Sequence, residues 1–369
     1  MLTGAPLSRF RKNLLAWFAQ FQRDMPWRRT LDPYRIWLSE IMLQQTRVAA
    51  AIPYYERFLQ RFPTVEALAC APQEEVLRLW SGLGYYSRAR NLQKAAQAIV
   101  AKHNGAFPSE PADALALPGI GAYTAAAILS IAHQKKLAVL DGNVARVLAR
   151  LHAIRGDLRA NGMWQKLQKS ANHLLDEQSP GNWNQAMMEL GATLCTPRSP
   201  QCLLCPVNEF CEARKKGLAG VIPAKRIKRP KVEIMLASLV LVDSLGNTLL
   251  LAPPKSARKS APADDVPTLV SRMWHFPTIA AQQEQAAALL KKFAEESLLS
   301  GRELRAELRP LKKVRHAVTY RSITIFPFRA EVEKLPRVPA SKGFPLEDLS
   351  TVAISNLTRK VAHAAGALQ

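Results

Sequence analysis

Four of the five cysteines lie within a short stretch of the sequence, at Cys195, Cys202, Cys205 and Cys211, and Cys70 lies far from them. In a cytosolic protein, cysteines at this spacing indicate a metal centre rather than disulfides. Zinc and an iron–sulfur cluster both accept four thiolates, so the spacing leaves the two open. Basic residues around the quartet could present their charges to phosphate: Arg198, Arg214, Lys215 and Lys216.

Glu40 lies in a stretch that we predict to be helical, and its neighbours at helical spacing are mostly apolar. These neighbours are Ile36, Trp37, Leu43 and Gln44. A carboxyl group among them is expected to lose hydration and to have a raised pKa, which suits a general acid. Most glutamates on helices are solvated or salt-bridged, so a surface role is the alternative.

A second carboxylate, Asp141, stands beside Gly142 where the chain is expected to enter a helix. Capping of that helix is the simplest role, because aspartate is a favoured N-cap residue. A capping residue is also held rigidly and can face a cleft. Two carboxylates from different helices suit cleavage of a glycosidic bond, in which one protonates the leaving group and the other stabilises an oxocarbenium-like sugar.

Two glycine-containing turns could contact nucleic acid. Pro118, Gly119 and Gly121 lie between predicted helices at 111–117 and 122–132, and a helix N-terminus after such a turn can hold a phosphate. This helix-hairpin-helix could also be an ordinary packing corner. The second turn, 82–90, carries tyrosines and arginines that either enter a nucleic-acid groove or pack inward.

The composition favours a nucleic-acid partner. The chain has 369 residues, enough for two domains, and its formal net charge of +22 attracts polyanions. A membrane surface is the second possibility, but no basic amphipathic anchor is evident. The N-terminus lacks the features of a signal peptide, and the uncharged run 114–132 is broken by proline and glycine. We therefore expect a cytoplasmic protein, associated with the nucleoid through DNA binding.

Hydrophobic periodicity predicts an all-α region followed by an α+β region. Ser8 is expected to cap the first helix, and Asp32 with Pro33 to start a helix that runs to about residue 50. Further helices are expected near 53–61, 64–70, 73–80, 86–102, 144–152, 162–177 and 183–194. After residue 230 we expect strands at 233–242, 248–251 and 322–330 and a helix near 281–298.

The expected domains are a helical domain at 1–222, with a metal loop at 192–215, and an α+β domain at 232–369. Between them, residues 223–231 form a basic, proline-bounded linker that either follows DNA phosphates or is only a solvated tether. The stretch 253–267 is rich in Lys, Ala, Ser and Pro and resembles a flexible insertion.

The LPGIG turn, the aspartate in VLDGNVARVLAR and the cysteine loop together resemble the endonuclease III superfamily of helix-hairpin-helix DNA glycosylases. Within it, residues 5–222 most resemble the adenine-removing MutY branch. The resemblance implies that the quartet holds a [4Fe–4S] cluster. Bifunctional relatives carry a nucleophilic lysine where this chain has Tyr123, so a monofunctional enzyme is implied.

The same resemblance assigns roles to individual residues. Glu40 would protonate adenine at N7, Asp141 would stabilise the oxocarbenium ion, and Tyr123 and Asn143 would support that site. Other matched positions would contact the flipped base or the duplex, with Gln45 and Tyr85 wedged into the stack: Arg28, Gln44, Gln45, Leu83, Tyr85 and Gln185. The hairpin residues Pro118, Gly119 and Gly121 would contact the DNA backbone.

The C-terminal region resembles the Nudix-like domain of the same branch. Residues 273–277 match its Trp-Glu-Phe-Pro segment with His275 in place of glutamate, and the glutamate-rich helix of Nudix hydrolases is missing. The resemblance implies recognition of 8-oxoguanine opposite adenine. The Phe-Ser-His recognition loop of the family aligns with Val318, Thr319 and Tyr320, so a hydroxyl is kept and the histidine is replaced.

These features predict a monomeric base-excision repair enzyme that hydrolyses adenine from A:8-oxoguanine, and also A:G, pairs in double-stranded DNA. A thymine glycosylase acting on G:T mismatches shares the scaffold and the tyrosine, but the context of Glu40 and the C-terminal domain disfavour it. A non-catalytic lesion binder is the alternative from another class. It would need neither Glu40 nor Asp141.

Overall fold

The computed structural model describes residues 2–224, 230–252, 269–270 and 273–366. Most of the predicted basic linker, residues 225–229, and the whole predicted insertion, 253–267, lie outside this part of the chain. Contacts divide the chain into two compact units. The first contains Met1–Cys70 and Asn91–Ile227, and the second contains Ala71–Arg90 and Lys228–Gln369. The domain boundaries proposed from the sequence stay a prediction.

The first unit is built of helices. Its described elements are α1 (Gly4–Phe21), α2 (Pro33–Leu43), α3 (Val48–Arg61), α4 (Val65–Cys70), most of α6 (Ser87–His103), α7 (Pro111–Ala116), α8 (Ala122–His133), α9 (Gly142–Leu151), α10 (Met163–Leu174), α11 (Pro180–Thr193) and the short α12 (Glu212–Lys215). α5 (Gln73–Trp80) belongs to the second unit. The all-α expectation for the N-terminal region is confirmed for the described residues.

Three predicted helix bounds are wrong by more than three residues: the start of α1, the end of α2 and the start of α3. α1 begins at Gly4 rather than after Ser8. Pro6 is tolerated there because an N–H in the first turn has no helical partner. The helix from Pro33 ends at Leu43, where Gln45 adopts a left-handed conformation with φ of 61°. A new helix then starts at Val48. The predicted cap at Asp32 is present, since its side chain accepts from the Tyr34 N–H.

The core of the first unit lies where α1, α8, α9 and α11 pack together. Phe10 and Leu14 of α1, Leu148 of α9 and Trp183 of α11 are fully or almost fully buried in one apolar cluster. α8 contributes mainly small side chains to this cluster, so neighbouring helices approach it closely. A Cβ atom at Gly181 would lie 2.7 Å from the backbone oxygen of Ser130, so this contact requires glycine.

Asn184 joins α11 to the segment between α8 and α9. Its Oδ1 accepts from the Val139 N–H at 3.1 Å, and its Nδ2 donates to the Leu137 carbonyl at 2.7 Å and to the Ser130 hydroxyl at 2.8 Å. The side chain is 1% exposed, so these bonds satisfy backbone groups that water does not reach. They fix the segment that leads into Asp141.

The second unit contains a mixed sheet with helices on both faces. Its described strands are β1 (Val232–Val242), β2 (Asn247–Leu251), β3 (Thr278–Ala280), β4 (Arg309–Pro310), β5 (Val314–Val318), β6 (Arg321–Glu331) and β7 (Ser341–Pro345). The strand order is β4-β6-β1-β2-β7, with β3 paired to β1 and β5 paired to β6. β1 and β6 run parallel along their whole length. The α+β expectation is confirmed.

Successive side chains of β1 enter two different apolar clusters. Leu236 and Val240 pack with α14 (Asn356–Ala364), whereas Leu239 and Leu241 pack with α13 (Ala286–Phe293). Burial on both faces explains why the strand is continuously apolar rather than alternating. The predicted helix near 281–298 is a 3₁₀ turn, α13 and a final π-helical turn.

Residues 71–90 pack within the second unit. The Asn356 amide donates to the Gly82 carbonyl at 3.1 Å, and Arg359 donates to the Ser81 hydroxyl at 2.7 Å. Ser81 in turn donates to the Ile354 carbonyl at 3.1 Å. The turn at 82–85 is therefore attached to the N-terminal end of α14. In the part of the chain described, no helix is both long and apolar enough to cross a bilayer.

We expect Asn184→Ala to destabilise the protein by roughly 3 kcal/mol, because it takes the partner from a buried N–H and from a partly buried C=O. The midpoint of urea unfolding measures this change. Asn172→Ala is the matched control, since this exposed amide accepts one bond from Gln168 and its loss is expected to cost less than about 0.5 kcal/mol. Equal midpoints for the two variants would contradict the role given to Asn184.

Candidate active site and metal centre

A cavity of about 220 Å³ in the first unit brings together the catalytic residues predicted from the sequence. Glu40 comes from α2, Tyr123 from the first turn of α8, and Asp141 and Asn143 from the start of α9. Two further predicted residues, Arg28 and Gln185, also line it. Six residues that are separate in sequence therefore share one cavity.

Glu40 is 8% exposed and lines the cavity, so its carboxyl group is largely removed from water. Burial raises the pKa of Glu40 to about 7; a hydrogen bond from Tyr123 lowers it, and the nearby charge of Asp141 raises it. The apolar neighbours predicted for this residue are present on α2, where Ile36, Trp37 and Ile41 are buried. A carboxyl group with this pKa can both hold and release a proton near neutral pH.

Asp141 caps α9 and lines the cavity at the same time. One carboxylate oxygen accepts from the backbone N–H groups of Asn143 at 3.0 Å and Val144 at 2.7 Å. The other accepts from the Asn143 side-chain amide at 3.0 Å. Three hydrogen bonds thus fix the position of this carboxylate beside the positive end of the helix.

Arg146 connects Asn143 to the cysteine loop. Its guanidinium donates to the Asn143 side-chain oxygen at 2.9 Å, to the Gly191 carbonyl at 2.7 Å and to the Cys195 carbonyl at 2.8 Å. A Cβ atom at Gly191 would lie 2.7 Å from the Asn143 Cβ, so the close approach of α11 requires glycine. Sequence reasoning missed Arg146, which has the appearance of an ordinary helical arginine.

An ion-pair cluster forms another part of the cavity wall. Glu189 is 1% exposed and accepts from Arg23 at 2.6 and 2.8 Å and from Arg28 at 2.8 Å. Burial alone would raise the pKa of Glu189, but the hydrogen bonds from the two arginines outweigh burial and lower it. Sequence reasoning missed Glu189 and Arg23. The available signal was the spacing of Gln185 and Glu189, which places them on one face of a helix.

The helix-hairpin-helix has the geometry expected of it. Gly119 has φ of 81°, and a Cβ there would lie 2.8 Å from the Asn91 Cβ, so only glycine fits. Pro118 precedes it, and Gly121 begins α8 without a side-chain cap. Nothing lies within 4 Å of a Cβ placed at Gly121, so space is open beside the helix N-terminus.

The other predicted contact residues lie outside the active-site cavity. Gln44 and Gln45 follow α2, and Gln45 is exposed in the left-handed conformation. Leu83 is 9% exposed and Tyr85 is 43% exposed, with φ of 49° at Tyr85. Leu83 and Tyr85 belong to the second unit.

A second cavity, of about 290 Å³, lies within the second unit. Tyr85, Thr319, His316 and Arg321 are among the residues that line it, whereas Leu83 and Tyr320 are not. The Arg321 guanidinium instead stacks 4.7 Å from the Tyr320 ring centre. The structure therefore brings Tyr85 and Thr319 to one cavity.

The four clustered cysteines line a common cavity between α9, the end of α11 and α12. The buried Arg150 guanidinium lies 3.2 Å from the Cys195 sulfur and also donates to the carbonyls of Thr196 and Ile222 at 2.8 Å. Cationic and backbone donors of this kind stabilise thiolate sulfur.

The four thiols in this cavity are the donor set that an iron–sulfur cluster takes. Cys195, Cys202, Cys205 and Cys211 would hold such a cluster.

Family models match two parts of the chain. Residues 38–173 match the HhH-GPD superfamily of base excision DNA repair proteins, and residues 195–211 match the iron-sulfur binding domain of endonuclease III. The second match contains all four clustered cysteines. The expected [4Fe–4S] cofactor is confirmed.

The chain is similar to proteins named adenine DNA glycosylase. It is 35% identical to the one from Homo sapiens, with 97% of this chain and 74% of the relative covered. The Mus musculus protein is 34% identical over 97% of this chain and 78% of its own length. The Rattus norvegicus protein is 46% identical over 60% of this chain and 44% of its own length.

Solved structures share the helical fold. A thermostable thymine-DNA glycosylase is 28% identical, with a TM-score of 0.53 over 57% of this chain and 97% of that one. The protein in a trapped endonuclease III–DNA covalent intermediate is 23% identical, with a TM-score of 0.51 over 59% of this chain and 100% of that one. At this identity the similarity supports a shared fold and nothing further.

Proposed function

Because the chain belongs to the adenine DNA glycosylase family, we propose that it removes adenine paired with 8-oxoguanine, and also with guanine. Members of this family hydrolyse the N-glycosidic bond of adenine in base excision repair. The observation that carries the proposal is the shared cavity of Glu40 and Asp141, in which burial gives Glu40 a pKa of about 7.

The chemistry follows from the two carboxyl groups. Adenine is a poor leaving group as an anion, and protonation at N7 lets it leave as a neutral base. Glu40 supplies that proton, because at neutral pH a large fraction of its carboxyl groups is protonated. Asp141, fixed at the N-terminus of α9, stabilises the positive charge that develops on the sugar. Water then adds to the anomeric carbon and gives its proton to the Glu40 carboxylate, which restores the acid.

Tyr123 makes the enzyme monofunctional. A lyase step needs an amine that forms a Schiff base with the sugar. Among the described residues that line the cavity, none is lysine, and the phenol of Tyr123 occupies the first turn of α8. Base release therefore leaves an abasic site in an uncut strand.

The Glu189 cluster and Gln185 form the base-binding side of the cavity. Adenine offers an amino donor at N6 beside a ring-nitrogen acceptor at N1. A carboxylate held between two arginines presents an acceptor and donors side by side, which complements that edge. Thymine also places a donor, at N3, beside its acceptors, so the choice of adenine over the G:T alternative is supported instead by the similarity to adenine DNA glycosylases.

The DNA backbone is held by the hairpin and by the net charge. Gly119, Gly121 and the uncapped start of α8 form an anion site, and Pro118 shapes its turn. Gln45 and Tyr85, exposed and in left-handed conformations, are suited to enter the base stack. Gln44 and Leu83, next to Gln45 and near Tyr85 in the sequence, are assigned to the same contact with the duplex. The partner is thus double-stranded DNA, bound by a monomer in the compartment that holds the chromosome.

Recognition of the opposite base is assigned to the cavity of the second unit, which we propose to be a Nudix-like lesion-reading domain. The Thr319 hydroxyl donates to the Val318 carbonyl at 2.7 Å, so its lone pairs remain to accept. 8-Oxoguanine carries a hydrogen on N7, whereas guanine has a lone pair there. Thr319 can therefore accept from the lesion and is repelled by guanine. Tyr320, which stands where the family has its histidine, does not line this cavity, so we assign it no contact with the lesion.

The rate of adenine release is expected to fall as the pH rises through about 7, because only the protonated form of Glu40 acts as the acid. The second-order rate constant of excision from an A:8-oxoguanine duplex measures this. Glu40→Gln is expected to abolish excision while duplex binding persists. A variant with unchanged turnover would remove Glu40 from the mechanism.

A duplex panel at fixed ionic strength tests substrate choice. We expect adenine release from A:8-oxoguanine and more slowly from A:G, with strand cleavage only after alkali. Thr319→Val is expected to reduce the preference for the lesion by about tenfold, the effect of one lost hydrogen bond. Thr351→Val, in an exposed 3₁₀ turn of the same unit, is the matched control. Release of thymine from G:T with retention of adenine would overturn the assignment.

A further inference from the structure

The hydroxyl group of Tyr123 lies between two acceptors. It donates to the Met188 sulfur at an oxygen–sulfur distance of 3.1 Å, and it shares the cavity with the Glu40 carboxyl group, whose pKa a hydrogen bond from this hydroxyl lowers. A phenol has one proton to donate and two lone pairs, and a thioether can only accept. The direction of that single O–H bond decides whether Glu40 faces a hydrogen-bond donor or an oxygen lone pair.

The two directions favour opposite forms of Glu40. When the phenol proton points to Met188, an oxygen lone pair faces Glu40, and only a protonated carboxyl group can donate to it. When the phenol proton points to Glu40, the ionised carboxylate receives a hydrogen bond, which stabilises the anion. Met188 competes with the carboxylate for the same proton.

We propose that Met188 is a positioning residue that draws the Tyr123 hydroxyl proton away from Glu40 and so keeps Glu40 in its acid form. This inference rests on the proposed function, since it takes Glu40 to be the general acid. Met188 touches neither the scissile bond nor the proton that is transferred; it acts through Tyr123.

Met188 can be changed without altering the charges around Glu40. Facing Glu40 across the cavity are Tyr123 of α8 and Asp141 at the start of α9. On α11, Glu189 is paired with Arg23 and Arg28 from the segment after α1. Met188 lies on α11 directly before Glu189, is half-buried and lines the cavity.

The neighbouring Met187 provides a matched control. It lies on the same helix, is 3% exposed in the apolar core and does not line the cavity. Leucine in place of either methionine keeps the hydrophobic volume and removes the sulfur acceptor, a replacement that cores usually tolerate. Only the substitution at 188 takes an acceptor from Tyr123.

The test compares pH–rate profiles of adenine release for the cluster-loaded, full-length protein. In Met188→Leu the Tyr123 proton turns to Glu40, so the alkaline limb of the profile is expected to move down by about half a pH unit or more. The rate constant well below the limb is expected to stay within about twofold of the original. Met187→Leu is expected to keep the original profile.

A double-mutant comparison separates this role from a packing effect. Tyr123→Phe removes the hydroxyl through which Met188 acts, so Met188→Leu is expected to cause no further shift in that background. Two results would overturn this inference and leave the acid role of Glu40 intact. They are an unshifted alkaline limb in Met188→Leu, or a shift caused by Met188→Leu that is the same in the Tyr123→Phe background. A flat profile for the unmodified protein would overturn both this inference and the acid role of Glu40.

Discussion

The cost of ionising the buried carboxyl group of Glu40 is the constraint on which the site depends. Desolvation raises its pKa to about 7, so the carboxyl group can hold a proton near neutral pH. Ile36, Trp37 and Ile41 of α2 are buried beside it in the sequence and contribute to this desolvation. Core packing and the proposed acid function therefore depend on the same helix.

The carboxylate of Asp141, in contrast, is held in one position by hydrogen bonds. Its oxygens take three hydrogen bonds from the first turn of α9 and from Asn143. Asn143 is held by Arg146, which also bonds the carbonyl of the cluster ligand Cys195. The cysteine loop is thus part of the framework that orients Asp141, since one guanidinium bonds both the Cys195 carbonyl and Asn143, and Asn143 bonds Asp141. Gly191 permits this approach because a side chain there would collide with Asn143.

Features of the site that depend on residues close in sequence could be predicted, whereas contacts between residues far apart in sequence could not. The capping roles of Asp32 and Asp141 and the apolar surroundings of Glu40 are visible within one or two helical turns. The ion pairs of Glu189 with Arg23 join residues 166 positions apart, and a glutamate on an amphipathic helix gives no sign of such partners. α2 ends at Leu43, and Gln45 just beyond it has a left-handed backbone conformation. No glycine or proline in this stretch of the sequence predicts that conformation.

The division of the chain into two units also depends on contacts between residues that are distant in sequence. Residues 71–90 read as one more helix and turn of the helical region, yet Asn356 and Arg359 hold Gly82 and Ser81 within the second unit. Contacts across more than 270 positions of sequence decide this, and hydrophobic periodicity carries no information about them. The family resemblance supplied the roles of Glu40 and Tyr123 that spacing alone left open.

The most direct test of the account is the titration of the Glu40 carboxyl group itself. Infrared difference spectra of the full-length protein against Glu40→Gln isolate the protonated carboxyl band as the pH is changed. The account predicts a band that persists at neutral pH and disappears with a midpoint of about 7. A midpoint near the ordinary value of 4.5 would show that Glu40 is ionised when the enzyme acts, and would contradict its role as the acid.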